Sequence, residues 1–171
     1  MKFKITLKID RKYGDLLPFN YQYEQSAVIY RILAQADTQY SSWLHENGYL
    51  LHERKRFKLF CYSPFIFEKV RPLPEAGCLK IIGERAVWYI SFIPEKSTLE
   101  FIQGIFAHQS FSIGNKKYQV AFDVVGVEAI SMPQLTEQMA FQAMSPICVK
   151  LHKDNKTQYL SPDNPILLKA Y

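Results

Sequence analysis

His45 stands in the segment Trp43-Leu44-His45-Glu46-Asn47-Gly48, at the end of a helical stretch and just before a glycine. Imidazole titrates near neutral pH, so this side chain has the chemistry of a general acid or base. A histidine in that place also suits a helix C-terminus as a simple cation, with no catalytic role. A few residues on, Arg54, Lys55, Arg56 and Lys58 form a dense basic run with His52, interrupted by Phe57. Such cations neutralise phosphates, and Phe57 or Phe60 offers a ring for a base to stack on. A solvated loop entering a strand would have the same composition. Tyr30 lies on the flank of a predicted helix, where a tyrosine commonly roofs the edge of a core.

Other chemistries find less support. His45 and His52 are not at helical i, i+4 spacing, and no cluster of acids or cysteines accompanies them, so no metal or other cofactor is expected. There is no phosphate-cradling glycine motif and no G-x-S-x-G nucleophile turn. Ser145-Pro146 and Ser161-Pro162 read as turn signals.

The balance of 21 lysines and arginines against 16 acids gives a formal charge of +5, which suits a polyanionic partner without identifying it. Three cysteines, Cys61, Cys78 and Cys148, lie far apart, which argues against a disulfide framework and for a reducing compartment. Residues 1–9 alternate polar and apolar, unlike a signal peptide. No apolar run approaches the ~20 residues of a membrane span. A cytoplasmic protein with no membrane partner is expected.

These side chains need a scaffold, and the periodicities supply one. Phe3, Ile5, Leu7 and Ile9 alternate with Lys2, Lys4, Thr6 and Lys8, the pattern of a strand with one core face and one basic face. Gly14 and Pro18 break the chain. A helix is predicted over 22–36, with Val28, Ile29, Ile32, Leu33 and Ala36 on its apolar stripe and Tyr30 off it. A short helical stretch over 41–46 stops at Asn47-Gly48. Phe57 to Phe67 and Val87 to Ile93 read as strands, joined through Pro72, Pro74 and Gly77. Ser97-Thr98-Leu99-Glu100 has the form of a capping box opening another helix, with Leu99, Ile102, Ile105 and Phe106 as its buried stripe. After a turn at Gly114-Asn115, Tyr118 to Val124 alternates as a last strand whose phase slips near Val125–Val127, as at a bulge.

The order β-α-β-β-α-β predicts an α+β, ferredoxin-like (RRM-like) domain over residues 1–132. Helices cover one face of its antiparallel sheet and leave the other free, a face many RNA-binding proteins use. Residues 140–171 read as the truncated beginning of a second such domain. Two strands flank a polar turn at Lys153–Lys156, and Asn164-Pro165 starts a helix.

Four stretches taken together resemble the CRISPR-associated endoribonucleases that process precursor CRISPR RNA. They are Ser26-Ala27-Val28-Ile29-Tyr30, Trp43-Leu44-His45-Glu46, Phe57 through Ser63, and Met144-Ser145-Pro146-Ile147-Cys148-Val149. The resemblance implies two ferredoxin-like domains in tandem and cleavage within repeats without a metal. In that reaction the 2′-hydroxyl attacks the adjacent phosphate, leaving 2′,3′-cyclic phosphate and 5′-hydroxyl ends. It further implies Tyr30, His45 and Lys58 as the catalytic set, with Lys55 and His52 in reserve for Lys58 and His45. His52, Arg54, Lys55 and Arg56 would then contact RNA. The family's C-terminal glycine-rich loop has no counterpart in these residues, and only 7 glycines occur. The implied partner is CRISPR repeat RNA, with self-association into a homodimer and assembly with other CRISPR-associated proteins left open. A non-catalytic RNA-binding module or an assembly subunit on the same fold is the alternative.

Overall fold

The computed structural model describes residues 1–51, 55–131, 133–134, 136–140, 149–153 and 156–161. The chain divides into two compact units, Met1–Met132 and Pro133–Tyr171. The first opens with β1 (Lys2–Asp10) and β2 (Leu16–Pro18), then α1 (Gln22–Ala36) and α2 (Thr38–Glu46). Short strands follow: β3 (Tyr49–Leu51), β4 (Lys55–Phe57), β5 (Phe60–Tyr62), β6 (Ile66–Phe67), β7 (Val70–Leu73) and β8 (Cys78–Ile81). The unit closes with β9 (Arg85–Phe92), α3 (Glu95–Ala107), β10 (Ser110–Gly114) and β11 (Gln119–Ile130).

The main antiparallel sheet runs β10-β11-β1-β9-β5, with β6 also on β9. The last strand and the hairpin strand thus flank the first, which makes the unit ferredoxin-like in the α+β class. Alternation in β1 and β9 sends Phe3, Ile5, Leu7, Trp88, Ile90 and Phe92 to one face, where they are buried. Phe101 of α3 packs there, its ring 5.0 Å from Phe92 and 6.4 Å from Trp88. Val28, Ile29, Ile32 and Leu33 of α1 complete the same core. The expected phase slip in β11 is a bulge. Thr6 pairs Gly126 but Leu7 pairs Val124, so Val125 is the extra residue.

Several expectations need correction. The capping box does not cap: α3 starts at Glu95 after Pro94, and Ser97 and Thr98 are buried inside it. Its buried side consists of Phe101, Gly104 and Ile105 with those two hydroxyl residues, while Leu99 and Phe106 face outward. The cause is Gly104, where an added Cβ would lie 1.8 Å from the Ile32 carbonyl oxygen. Only a missing side chain lets α3 approach α1 this closely, and that contact sets the helix's rotation. In α1, Ala36 is exposed and Gln25 takes a buried place, its amide donating to the Ser63 carbonyl at 2.9 Å.

The strand expected from Phe57 to Phe67 is broken twice, at Lys58-Leu59 and at Ser63-Pro64-Phe65. Pro64 has no N–H for the ladder. Ser63 bridges the gap, donating its own N–H to the Tyr89 carbonyl (2.9 Å) and accepting the Tyr89 N–H at its hydroxyl (3.0 Å). The Pro- and Gly-rich connection is itself a small sheet, β2-β8-β7, in which Gly77 takes φ +65° after the Pro74–Ala76 turn. β10 was not anticipated either.

In the second unit, β12 (Lys150–Lys153) pairs antiparallel with β13 (Lys156–Tyr159). Asn164-Pro165, Met144 to Cys148, His52 and Arg54 lie outside the described residues. Among the described residues, no helix is long and apolar enough to cross a membrane.

Candidate active site

Asp37 ends α1 and begins α2. It is the N-cap, its Oδ1 accepting the Tyr40 N–H at 2.8 Å. That hydrogen bond, with Lys96 at 3.2 Å, holds the Asp37 carboxyl below the usual carboxylate range. Ser41 then donates its hydroxyl to the Tyr30 carbonyl at 2.8 Å. The two helices are thereby pinned at a corner that brings Tyr30 of α1 beside the last turn of α2.

In that last turn His45 is exposed, and its ring meets Tyr30 edge to face, centroids 4.9 Å apart at 84°. Phe60 of β5 packs on Tyr30 from another side at 5.8 Å and 75°. Tyr30 is half-buried, and burial, followed by neighbouring Tyr62, pushes its phenol up. The hydroxyl therefore stays protonated and can donate a hydrogen bond.

Lys58 enters from the break between β4 and β5. Its ammonium donates to the carbonyls of Leu44 and His45, groups that the end of α2 leaves without helical partners. Partial desolvation lowers its pKa, and the charge of Arg56 adds to that. The chain turns here because Leu59 adopts φ +55°, an uncommon conformation for a bulky residue. Lys58 was expected on a strand; it sits instead in a kink that points it back at α2.

Gly48 makes this possible. At φ +68° it terminates α2, its N–H and that of Asn47 both reaching the Trp43 carbonyl, as Asn47-Gly48 suggested. A Cβ on it would lie 2.7 Å from the Phe57 carbonyl oxygen and 3.2 Å from Lys58 Cδ. We expect Gly48→Ala to lower the melting temperature by roughly 4–8 °C, the strain of a left-handed alanine adding to the clash. It should also displace Lys58, which a double mutant with Lys58→Ala would reveal as non-additive loss.

Tyr30, His45 and Lys58, from three segments, therefore gather at the end of α2, His45 exposed and the other two partly buried. The cluster combines a phenol and an imidazole in ring contact with an ammonium held on the carbonyls of the same helix turn. Of the expected RNA contacts, Arg56 is exposed nearby and donates to Asn47 Oδ1 at 3.0 Å. Lys55 begins β4, and His52 and Arg54 fall outside the described residues. Gly48 and Leu59, which place Lys58, were missed as site residues; Asn-Gly at the helix end was the one available signal. Among the described residues no group of three His, Cys, Asp or Glu is arranged to hold a metal ion.

The family model described as CRISPR-associated protein Cas6, N-terminal, matches residues 16–123. A solved structure described as a Cas6-related gene product from Pyrococcus furiosus superposes with TM-score 0.76 at 24% identity, covering 99% of this chain and 65% of that one. One described as an RAMP protein binding different RNA substrates gives 0.75 at 23%, covering 99% and 66%. A third, described as CRISPR associated protein Cas6, gives 0.67 at 24%, covering 99% and 66%. The chain spans just under two thirds of the length of these structures, and at such identities the likeness is one of fold. No curated protein matches.

Proposed function

The chain belongs to the family of CRISPR-associated protein Cas6, and on that premise we propose that it binds CRISPR repeat RNA and cleaves it without a metal. The observation that carries this reading is the meeting of Tyr30, His45 and Lys58 at the α2 terminus. The 2′-oxygen attacks the adjacent phosphorus as its proton leaves. The bond to the 5′-oxygen breaks as that oxygen gains a proton, giving a 2′,3′-cyclic phosphate and a 5′-hydroxyl. His45 moves one of those protons, being exposed and in the last turn. Tyr30, protonated, donates a hydrogen bond to the phosphate or the 2′-hydroxyl. Lys58 stabilises the charge that builds on the phosphorane, for which its ammonium must turn partly from the α2 carbonyls.

Residues 140–171 on this reading begin a second ferredoxin-like domain, and the protein works in the cytoplasm on the CRISPR transcript. The engagement of Lys58 by two backbone carbonyls also favours a second reading, a non-catalytic RNA-binding module in which Lys58 is a helix cap.

A labelled repeat RNA incubated with the protein in excess EDTA tests the proposal. The expected result is a product with a 2′,3′-cyclic phosphate end, at a rate EDTA leaves unchanged. Binding without cleavage selects the second reading. Cleavage that EDTA stops and magnesium restores contradicts the chemistry.

A further inference from the structure

Beside the cluster, β5 and the end of β9 border a groove of about 440 Å³, within the ~300–1,000 Å³ range of small-ligand sites. Arg56, Phe57, Lys58, Cys61, Ser91 and Ile93 line it. Two features set it apart from an ordinary surface crevice. Phe57 and Ile93 are 43% and 78% exposed, so apolar area faces water here although the core lies a few residues away. Its charged lining residues, Arg56 and Lys58, are both cations, with no carboxylate among the described lining residues.

Lys58 and Phe60 line the groove and also build the cluster, Lys58 through α2 and Phe60 through Tyr30. Cys61 and Ser91, a register pair, alternate with Phe60 and Phe92 and so take the sheet face opposite Tyr30, which leaves Lys58, at the edge, as the side chain through which a ligand in the groove reaches the cluster. One aromatic and one aliphatic side chain, two cations and the small polar groups of Cys61 and Ser91 fit one chemical class, an unstacked nucleobase whose phosphate reaches Arg56 and Lys58. An amphipathic peptide could use the apolar side chains, but acidic groups would be needed to answer the cations.

We propose that this groove is a nucleobase subsite for the nucleotide flanking the scissile phosphate, with Phe57 and Ile93 as its walls. The inference rests on the RNA-processing reading and adds to it a requirement for single-stranded RNA at that position. It makes Phe57 and Ile93 binding residues, distinct from the cluster that carries the chemistry.

The test uses short single-stranded repeat RNAs carrying 2-aminopurine at successive positions, with 2′-deoxy substitution to prevent cleavage. Stacking on Phe57 should quench one position more than its neighbours. Phe57→Ala should remove that quenching and weaken binding roughly tenfold, within the range for loss of one base–aromatic stack. Ile93→Ala should act in the same direction, and Phe57→Trp should keep both signals. Both wall residues are largely exposed, so melting temperatures should be close to that of the wild type. Quenching that depends on Phe57 in a protein that never cleaves would support the subsite and sink the nuclease reading. Cleavage that depends on His45, with Phe57→Ala and Ile93→Ala binding and quenching like wild type, would sink the subsite alone and leave the groove to a protein partner. Absence of any RNA binding would overturn both.

Discussion

Replacing His45 by alanine is expected to slow cleavage of repeat RNA by roughly 10²–10⁴-fold, the usual worth of a positioned general acid or base. RNA affinity should change little if, as proposed, Arg56 and its neighbouring cations carry the phosphate contacts, since the imidazole is one exposed group beside them. The loss should therefore be one of turnover, which single-turnover rates at saturating protein would isolate. The substitution also removes the ring contact with Tyr30, at 4.9 Å, so some stability goes with it. Such a pair is worth about 1 kcal/mol, or roughly 2–4 °C of melting temperature in a chain of this size. Tyr30→Phe separates the two effects, since it keeps the edge-to-face contact and deletes only the hydroxyl. It should melt like the wild type and still cleave more slowly. If His45→Ala cuts at the wild-type rate, the site is misassigned.

The second large effect concerns the scaffold. Gly104→Ala should destabilise the protein by about 3 kcal/mol or more, toward the upper end for overpacking, and lower the melting temperature by roughly 6–12 °C. Helix propensity alone argues the opposite, since alanine is favoured over glycine by ~1 kcal/mol in a helix interior. The geometry decides the sign. A methyl group at Gly104 would sit 1.8 Å from the Ile32 carbonyl oxygen, and backbone on both sides leaves no flexible side chain to give way. The helices must part, and since α1 carries Tyr30, cleavage should fall along with stability. Gly126→Ala is the control. Its Cβ would meet Thr6 at an ordinary 3.7 Å, so it should be neutral or gain a few tenths of a kcal/mol from a stiffer unfolded chain. Equal melting of the two variants would show that α1 and α3 part at little cost and that Gly104 does not set their approach.

Much of the fold was written in local periodicity. Alternation along Lys2–Asp10 defines β1 and its two faces, and the apolar stripe of Gln22–Ala36 defines α1. The slip near Val125 was visible as a break in that alternation. The candidates Tyr30 and His45 were legible too, as a tyrosine off the core stripe and a histidine before Asn-Gly. Each of these signals is carried by residues within a few positions of one another.

What the sequence left open depended on atoms far apart in the chain. The apolar pattern of α3 pointed Leu99 and Phe106 inward, because a hydrophobicity pattern counts side chains and gives no weight to a glycine. Only the packing of Gly104 on Ile32, 72 positions away, turns the helix to bury Phe101 instead. Likewise Lys58 looked like one cation in a basic run and a member of a strand. Its place at the end of α2 follows from the left-handed Leu59, the space above Gly48 and two carbonyls that a finished helix leaves unpaired. Periodicity reports which face of an element is apolar; how closely two elements approach, and which side chain answers a free backbone group, is settled only when the elements pack together.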